Sequence, residues 1–329
     1  MYKTIMVPTD GSGFDREAIL VALRVAERCE AKVRLVRVLG TGVIFGMAGS
    51  AEGAALPVEA LRLEHDAALS ELYALAAECR SLCPADITVD LEQGPIADVL
   101  EGYAKRNEID LIVISSHGRR GIARLSLGSV TDSLIRGTTI PVLVVKPRAS
   151  YLAPEASKEF THIVVPLDGS SLAEQILTRI VPLAKLEEAE ITLLHILAPT
   201  GDSYENGAEE TIHLPWWVKR VSGAQAYLSR KAAEIRLQGV ATTIDVVVGE
   251  KISDAITDYA RRERADLIAI ATHGRGGLAR VLRGSVADGV TKSAMNSILV
   301  FHPEKKIQRH APTKLVEEAK AGEDALVLT

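Results

Sequence analysis

The chain writes one pattern twice, and that duplication constrains its fold more than any single motif. "TIMVPTDGSGFDREAI" at 4–19 returns as "HIVVPLDGSSLAEQIL" at 162–177, and "PIADVLEGYAKRNEIDLIVISSHGRRG" at 95–121 returns as "KISDAITDYARRERADLIAIATHGRGG" at 251–277. The copies keep their order, with an offset of 158 from Asp10 to Asp168 and of 156 from Gly118 to Gly274. The middle segments therefore differ little in net length. A chain of 329 residues divides into two tandem domains, each of about 145 residues, a size at which one core is ordinary. The expected domains are 1–148 and 160–303. Residues 149–159, inside the Pro-, Ala- and charge-bearing run "KPRASYLAPEASKEF", are expected as an exposed linker. Residues 304–329 form a polar tail outside the repeat, with 314–320 a candidate short helix.

Within each copy, short apolar runs alternate with longer helical patterns. In the first copy the runs are "TIMVP", "KVRLVRVL", "DITVDLE", "DLIVIS" and "PVLVVK". Regular strand–helix alternation implies parallel pairing, right-handed crossovers and helices on both faces. Near-continuous apolar strands agree with burial on both sides. The expected fold is α/β: two doubly wound, five-stranded, Rossmann-like parallel sheets. Their final strands, "PVLVVK" and "SILVFH", are apolar edges that need a mate, so the halves are expected to pair about a pseudo-two-fold.

Composition narrows the function classes. A net charge of -5 gives no electrostatic case for nucleic acid. No apolar run approaches a membrane span and the first residues run straight into a strand, so the expected location is cytoplasmic. Three Cys make no paired framework. Cys79 and Cys83, one helical turn apart, read as small half-buried residues near a helix end rather than a redox pair. There is no G-x-x-x-x-G-K-[ST], no G-x-G-x-x-G after a first strand, no H-E-x-x-H, no C-x-x-C and no nucleophile elbow. Any ATP hydrolysis is therefore expected to be slow.

In doubly wound sheets, ligands bind beyond the carboxyl ends of the strands where the winding reverses. Two loops of each copy fall there. "VPTDGS" leaves the first strand with Asp10. "SSHG" leaves the fourth, and nine residues after Gly118 comes Gly128, opening "GSVTD"; Gly274 and Gly284 repeat the spacing. Gly128, the Ser129 hydroxyl and the first N–H groups of the next helix suit an anion, and Asp10 can accept from an amino group or hydroxyl. Helix capping by Gly-Ser and an ordinary Asx turn at Asp10 explain each piece alone. The recurrence of the whole set favours a ligand.

On these residues the chain resembles the universal stress protein family, over roughly 2–147 and 160–303. Its nucleotide-binding members carry Gly, two residues, Gly, nine residues, then Gly with Ser or Thr. Here the first Gly is Ser115 in one half and Ala271 in the other, small residues that still admit a ribose. The resemblance implies ATP or ADP, with Mg²⁺, and a nucleotide-dependent switch or binding module in stress response. It implies that Pro8, Thr9, Asp10 and Val38 flank the base, that Ser115 and Gly118 lie near ribose and phosphate, and that Gly128, Ser129 and Val130 hold the phosphates. In the second half the matching positions are Pro166, Leu167, Asp168 and Ile196, then Ala271, Gly274, Gly284, Ser285 and Val286. Leu167 in place of Thr9, and Ala271, make the first half the better site.

The departures at Ser115 and Ala271 keep a second class open, a nucleotide-free scaffold for a protein partner, as does the Trp216–Trp217 pair. His117 and His273 read as turn residues beside the Gly loop. Arg119, Arg120 and Arg124, with Arg275, Arg280 and Arg283, suit phosphate neutralisation, a cross-domain pair or a solvated basic face equally.

Overall fold

The computed structural model describes residues 2–40, 58–116, 127–146, 160–199, 216–272 and 285–303. The first half runs β1 (Thr4–Pro8), α1 (Arg16–Cys29), β2 (Lys32–Leu39), α2 (Val58–Leu82), β3 (Ile87–Gln93), α3 (Ile96–Arg106), β4 (Leu111–Ser115), α4 (Ser129–Gly137) and β5 (Val142–Val145). The second runs β6 (His162–Pro166), a short helix α5 (Ser171–Glu174), α6 (Leu177–Glu187), β7 (Glu190–Leu197) and α7 (Trp216–Arg236). It continues with β8 (Thr242–Val248), α8 (Ile252–Arg262), β9 (Leu267–Ala271), α9 (Ser285–Ser293) and β10 (Ser297–Phe301).

The strand order is β3-β2-β1-β4-β5-β10-β9-β6-β7-β8, so the two expected five-stranded sheets join as one ten-stranded sheet. Pairing is parallel inside each half and antiparallel at the seam, where Val142, Leu143 and Val144 face Val300, Leu299 and Ile298. These six side chains are buried, each worth about 1.5–3 kcal/mol when removed from water. The expected edge strands have become each other's mates. Arg28, at the end of α1, also crosses to the second half and donates to the Leu186 carbonyl at 2.9 Å, where a cation suits the C terminus of α6.

Strand alternation sorts the apolar residues into two cores. Ile5, Val7, Val33, Leu35, Leu111 and Val113 face α1 and α2, while Met6, Val36, Ile112 and Ile114 face α3 and α4. In α1 the residues Ala18, Ala22, Val25 and Ala26 recur at helical spacing and are buried. That helix ends on Glu30 in the left-handed region (φ 54), whose N–H donates to the Ala26 and Glu27 carbonyls; Glu188 (φ 51) ends α6 in the same way.

Cys79, on α2, and Cys83, just past its end, are more deeply enclosed than expected, both buried against the α1 side of the core. Burial pushes the Cys79 thiol up to about 11, so it stays protonated and packs as a small apolar group. The tail, the linker, and His117, His273 and the Arg-bearing stretches around them lie outside the described residues. Trp216 and Trp217 are the first two residues of α7.

Candidate functional site

In each half the winding reverses between the first and fourth strands, β1 and β4 or β6 and β9. The crevice at their carboxyl ends is the topological switch point. Pro8 closes β1, and Asp10 follows in a turn in which its Oδ1 accepts from the Ser12 N–H at 2.8 Å. Gly11 has φ 73, a left-handed value that only glycine adopts without cost. The second half repeats the turn: Asp168 Oδ1 accepts from the Ser170 N–H at 2.9 Å, and Gly169 has φ 87. The paired Asp-Gly thus has a structural role in both halves.

Thr9 turns toward the α1 side. Its N–H donates to the Val36 carbonyl at 2.9 Å, and its hydroxyl donates to the buried carboxylate of Asp15. The equivalent residues of the second half are Leu167 and Ala173, so a buried polar pair has been exchanged for an apolar one. Leu167 is buried accordingly.

The other wall of the crevice is the start of α4. Gly128 is its N-cap, with φ -62 and ψ 147, and supplies no side chain to the first turn. The Gly128 N–H donates to the Ser116 carbonyl at 3.0 Å, and the Thr131 hydroxyl donates to the Ser115 carbonyl at 3.1 Å. These two bonds tie the helix to the end of β4. The first intrahelical bond is from Asp132 N–H to the Gly128 carbonyl at 2.9 Å, which leaves the N–H groups of Ser129, Val130 and Thr131 ahead of the helical ladder. Ser129 is exposed at the first helical position, so capping does not account for it.

Val38 and Val130 are half-buried against the same core, on the α3–α4 side of the sheet, as are Ile196 and Val286 in the second half. The structure therefore places Val38, Ser115, Gly128, Ser129 and Val130 together with the β1 end. In the second half Pro166 and Ala271 close β6 and β9, Ser285 opens α9, and Asp168 sits in the turn after β6. Gly118, Gly274 and Gly284 lie outside the described residues. Thr131 and Ser116 escaped the sequence reading. The signal was present in "GSVTD", whose Thr sits one turn into the helix, against Ala287 in "GSVAD".

Among the described residues no group of three His, Cys, Asp or Glu is arranged to hold a metal ion, and no helix is long and apolar enough to cross a membrane.

This arrangement has relatives. A 147-residue stretch is 33% identical to a universal stress protein of Methanocaldococcus jannaschii, covering 44% of this chain and 83% of that one. A universal stress protein of Mycolicibacterium smegmatis is 24% identical over 303 residues, 91% of this chain and 97% of its own. In fold, the crystal structure of a universal stress protein from Archaeoglobus fulgidus superposes with a TM-score of 0.67 at 15% identity, covering 91% of this chain and 98% of that one. The family model for universal stress proteins matches residues 1–146 and again 159–302, and with both halves matched the chain belongs to the universal stress protein family.

Proposed function

We propose that the first half binds an adenine nucleotide, ATP or ADP, at the crevice between β1 and β4, and that the protein serves as a nucleotide-dependent binding module in stress response. Gly128 carries this reading. Its backbone conformation suits any residue, and a Cβ there would come no closer than 3.4 Å to the Ser116 carbonyl, so among the described residues nothing requires glycine at that place. A phosphate backed against the N terminus of α4 supplies the need, because any side chain would stand between it and the N–H donors.

In this reading the Ser129 hydroxyl and the N–H groups at the start of α4 hold the phosphates. Asp10 accepts from the ribose or base, and Val38 and Val130 offer apolar surface. Mg²⁺ arrives on the phosphates and completes its shell with water, which requires no protein cage. The domains are taken as 1–148 and 160–303, joined by 149–159 and followed by the tail 304–329. A reducing, cytoplasmic setting fits three free cysteines.

The test is the nucleotide content of freshly purified protein, followed by Mg-ATP titration of the wild type and Gly128→Val. Binding near one equivalent per chain, weakened about a hundredfold or more by the substitution, supports the reading; this is about 2.7 kcal/mol. A wild type that neither retains nor takes up nucleotide sinks it. The fold would then stand as a scaffold whose partners are proteins, the reading that Ser115 and Ala271 favour.

A further inference from the structure

On the opposite face of the sheet from that crevice, α1 and α2 part to leave an open cavity of about 250 Å³. Its apolar wall is Ile19, Leu72, Leu75, Cys79 and Leu82. Its deepest charge is Arg37, on β2, whose side chain is only 12% exposed. Because Arg37 and Val38 alternate along β2, they serve opposite faces of the sheet; the cavity adjoins the proposed nucleotide site at the turn after β1, where Thr9, Gly11 and Gly13 line it. Thr9 and Asp15 close one end.

The second half carries different chemistry at the corresponding positions. By the repeat, Glu71 corresponds to Tyr227, Leu75 to Lys231 and Arg16 to Glu174. Tyr227 packs half-buried against the core and its hydroxyl donates to Glu174 Oε1 at 3.0 Å, while Lys231 Nζ lies 3.0 Å from Glu174 Oε2. A phenol and an ammonium on one carboxylate thus bridge α7 to the chain ahead of α6. In the first half the same places carry a carboxylate, an isobutyl group and a guanidinium. Arg16 pairs with Glu78 at 3.1 Å across the mouth, both of them exposed.

Arg37 is paired with Glu71 at 2.7 Å, but the two differ in setting: the guanidinium is enclosed and Glu71 is 63% exposed. Glu71 keeps its contact with water when it turns aside, so an incoming carboxylate that takes over the Arg37 bond leaves no buried charge unpaired. A planar guanidinium left facing an apolar wall selects a second carboxylate, which it can grip by two parallel bonds. We infer that this cavity is a binding site for a small amphipathic monocarboxylate, whose acid group displaces Glu71 from Arg37 and whose hydrocarbon body lies along Leu72, Leu75 and Leu82. The volume suits a body of about ten non-hydrogen atoms, for which weak but saturable affinity is the reasonable scale.

The test uses the full chain and two probes of equal length, octanoate and 1-octanol, titrated by calorimetry and ligand-observed NMR. Octanoate is expected to bind once per chain with Kd at or below about 1 mM, at least tenfold tighter than octanol. Arg37→Gln should bring octanoate down to the level of octanol. The triple variant Arg16→Glu, Glu71→Tyr, Leu75→Lys copies the second-half residues into the first and should weaken octanoate at least tenfold. Gly128→Val should leave octanoate binding as in the wild type, whatever happens to nucleotide. If the triple variant fails to fold, Arg37→Gln alone decides. No saturation of the wild type by about ten millimolar octanoate, equal affinity for acid and alcohol, or undiminished binding by Arg37→Gln would each overturn the assignment.

Discussion

At the start of α4 the Thr131 hydroxyl reaches back to the Ser115 carbonyl, and at the equivalent place in the second half stands Ala287, which has no hydroxyl to offer. Thr9 and Asp15 form a buried bond where the second half has Leu167 and Ala173. Against these losses, the Asx turns at Asp10 and Asp168, the left-handed glycines Gly11 and Gly169, and the left-handed helix ends at Glu30 and Glu188 persist in both. Residues that set backbone direction have been kept, and so has Gly-Ser-Val at the helix start; the divergence lies in the side chains that tie these loops to the sheet, Thr131 and the Thr9–Asp15 pair. A duplicated domain can lose a ligand without losing its fold, because the two depend on different atoms.

The seam where the halves meet should be the most costly place to disturb. Leu299 is fully buried opposite Leu143. Leu299→Asp places an unpaired carboxylate there and is expected to cost about 4 kcal/mol or more, read as a shift of the urea midpoint. A loss below about 1 kcal/mol would mean that each half carries its own stability and the joined sheet adds none.

Next in size is the contrast between the two crevices. Gly128→Val should remove the nucleotide binding of the whole chain, and Gly284→Val should leave it unchanged. The proposed ratio between the two variants is a hundredfold or more, about 2.7 kcal/mol. Two equivalents of nucleotide per wild-type chain, each lost with its own glycine, would break the comparison and make Leu167 and Ala271 neutral replacements.

The doubly wound order of each half was legible because apolar strands alternate with amphipathic helices, a pattern with few topological solutions. The mating of "PVLVVK" with "SILVFH" was legible as well, since an apolar edge must be covered. Its antiparallel register was not, because pairing Leu143 with Leu299 rather than a neighbour depends on how both sheets twist. At the site, Gly128 and Ser129 were readable from spacing. The turn of Thr9 toward Asp15, and the cavity beyond it, depend on packing between α1 and α2, whose residues are far apart in sequence.

A smaller effect separates two residues that directly follow equivalent strands, Lys146 and His302, both buried. His302 Nε2–H donates to the Ile135 carbonyl across the seam. Burial holds its imidazole below the ordinary 6.5, with the bond to Ile135 opposing only in part. Folding therefore favours the neutral ring. The associated stability is fully present above pH 6.5 and is lost as pH falls through that value toward the lower folded one. His302→Gln keeps a donor and cannot titrate. Its stability should stay flatter than that of the wild type as pH falls from neutrality through 6.5, read in urea titrations. Parallel pH curves for the two proteins would remove His302 from the account.

The smallest effect tests the pseudo-two-fold itself. Asp132 and Asp288 are equivalent residues, as are Arg136 and Lys292. Arg136 grips Asp132 through Nε at 2.9 Å and Nη2 at 2.8 Å, and the same Nη2 reaches Asp288 at 3.3 Å. Lys292 holds its own Asp288 at 2.7 Å. The planar fork can serve two carboxylates at once, whereas an ammonium on a flexible stem acts as a point charge. Arg136→Lys would make the two sides alike and leave facing carboxylates less well screened from one another. Because all these groups are partly exposed, the cost should be below about 1 kcal/mol, and it should shrink from low to high salt. A cost that ignores salt would point instead to lost packing of the guanidinium stem, and the symmetry-breaking contact would then have no electrostatic part in holding the halves together.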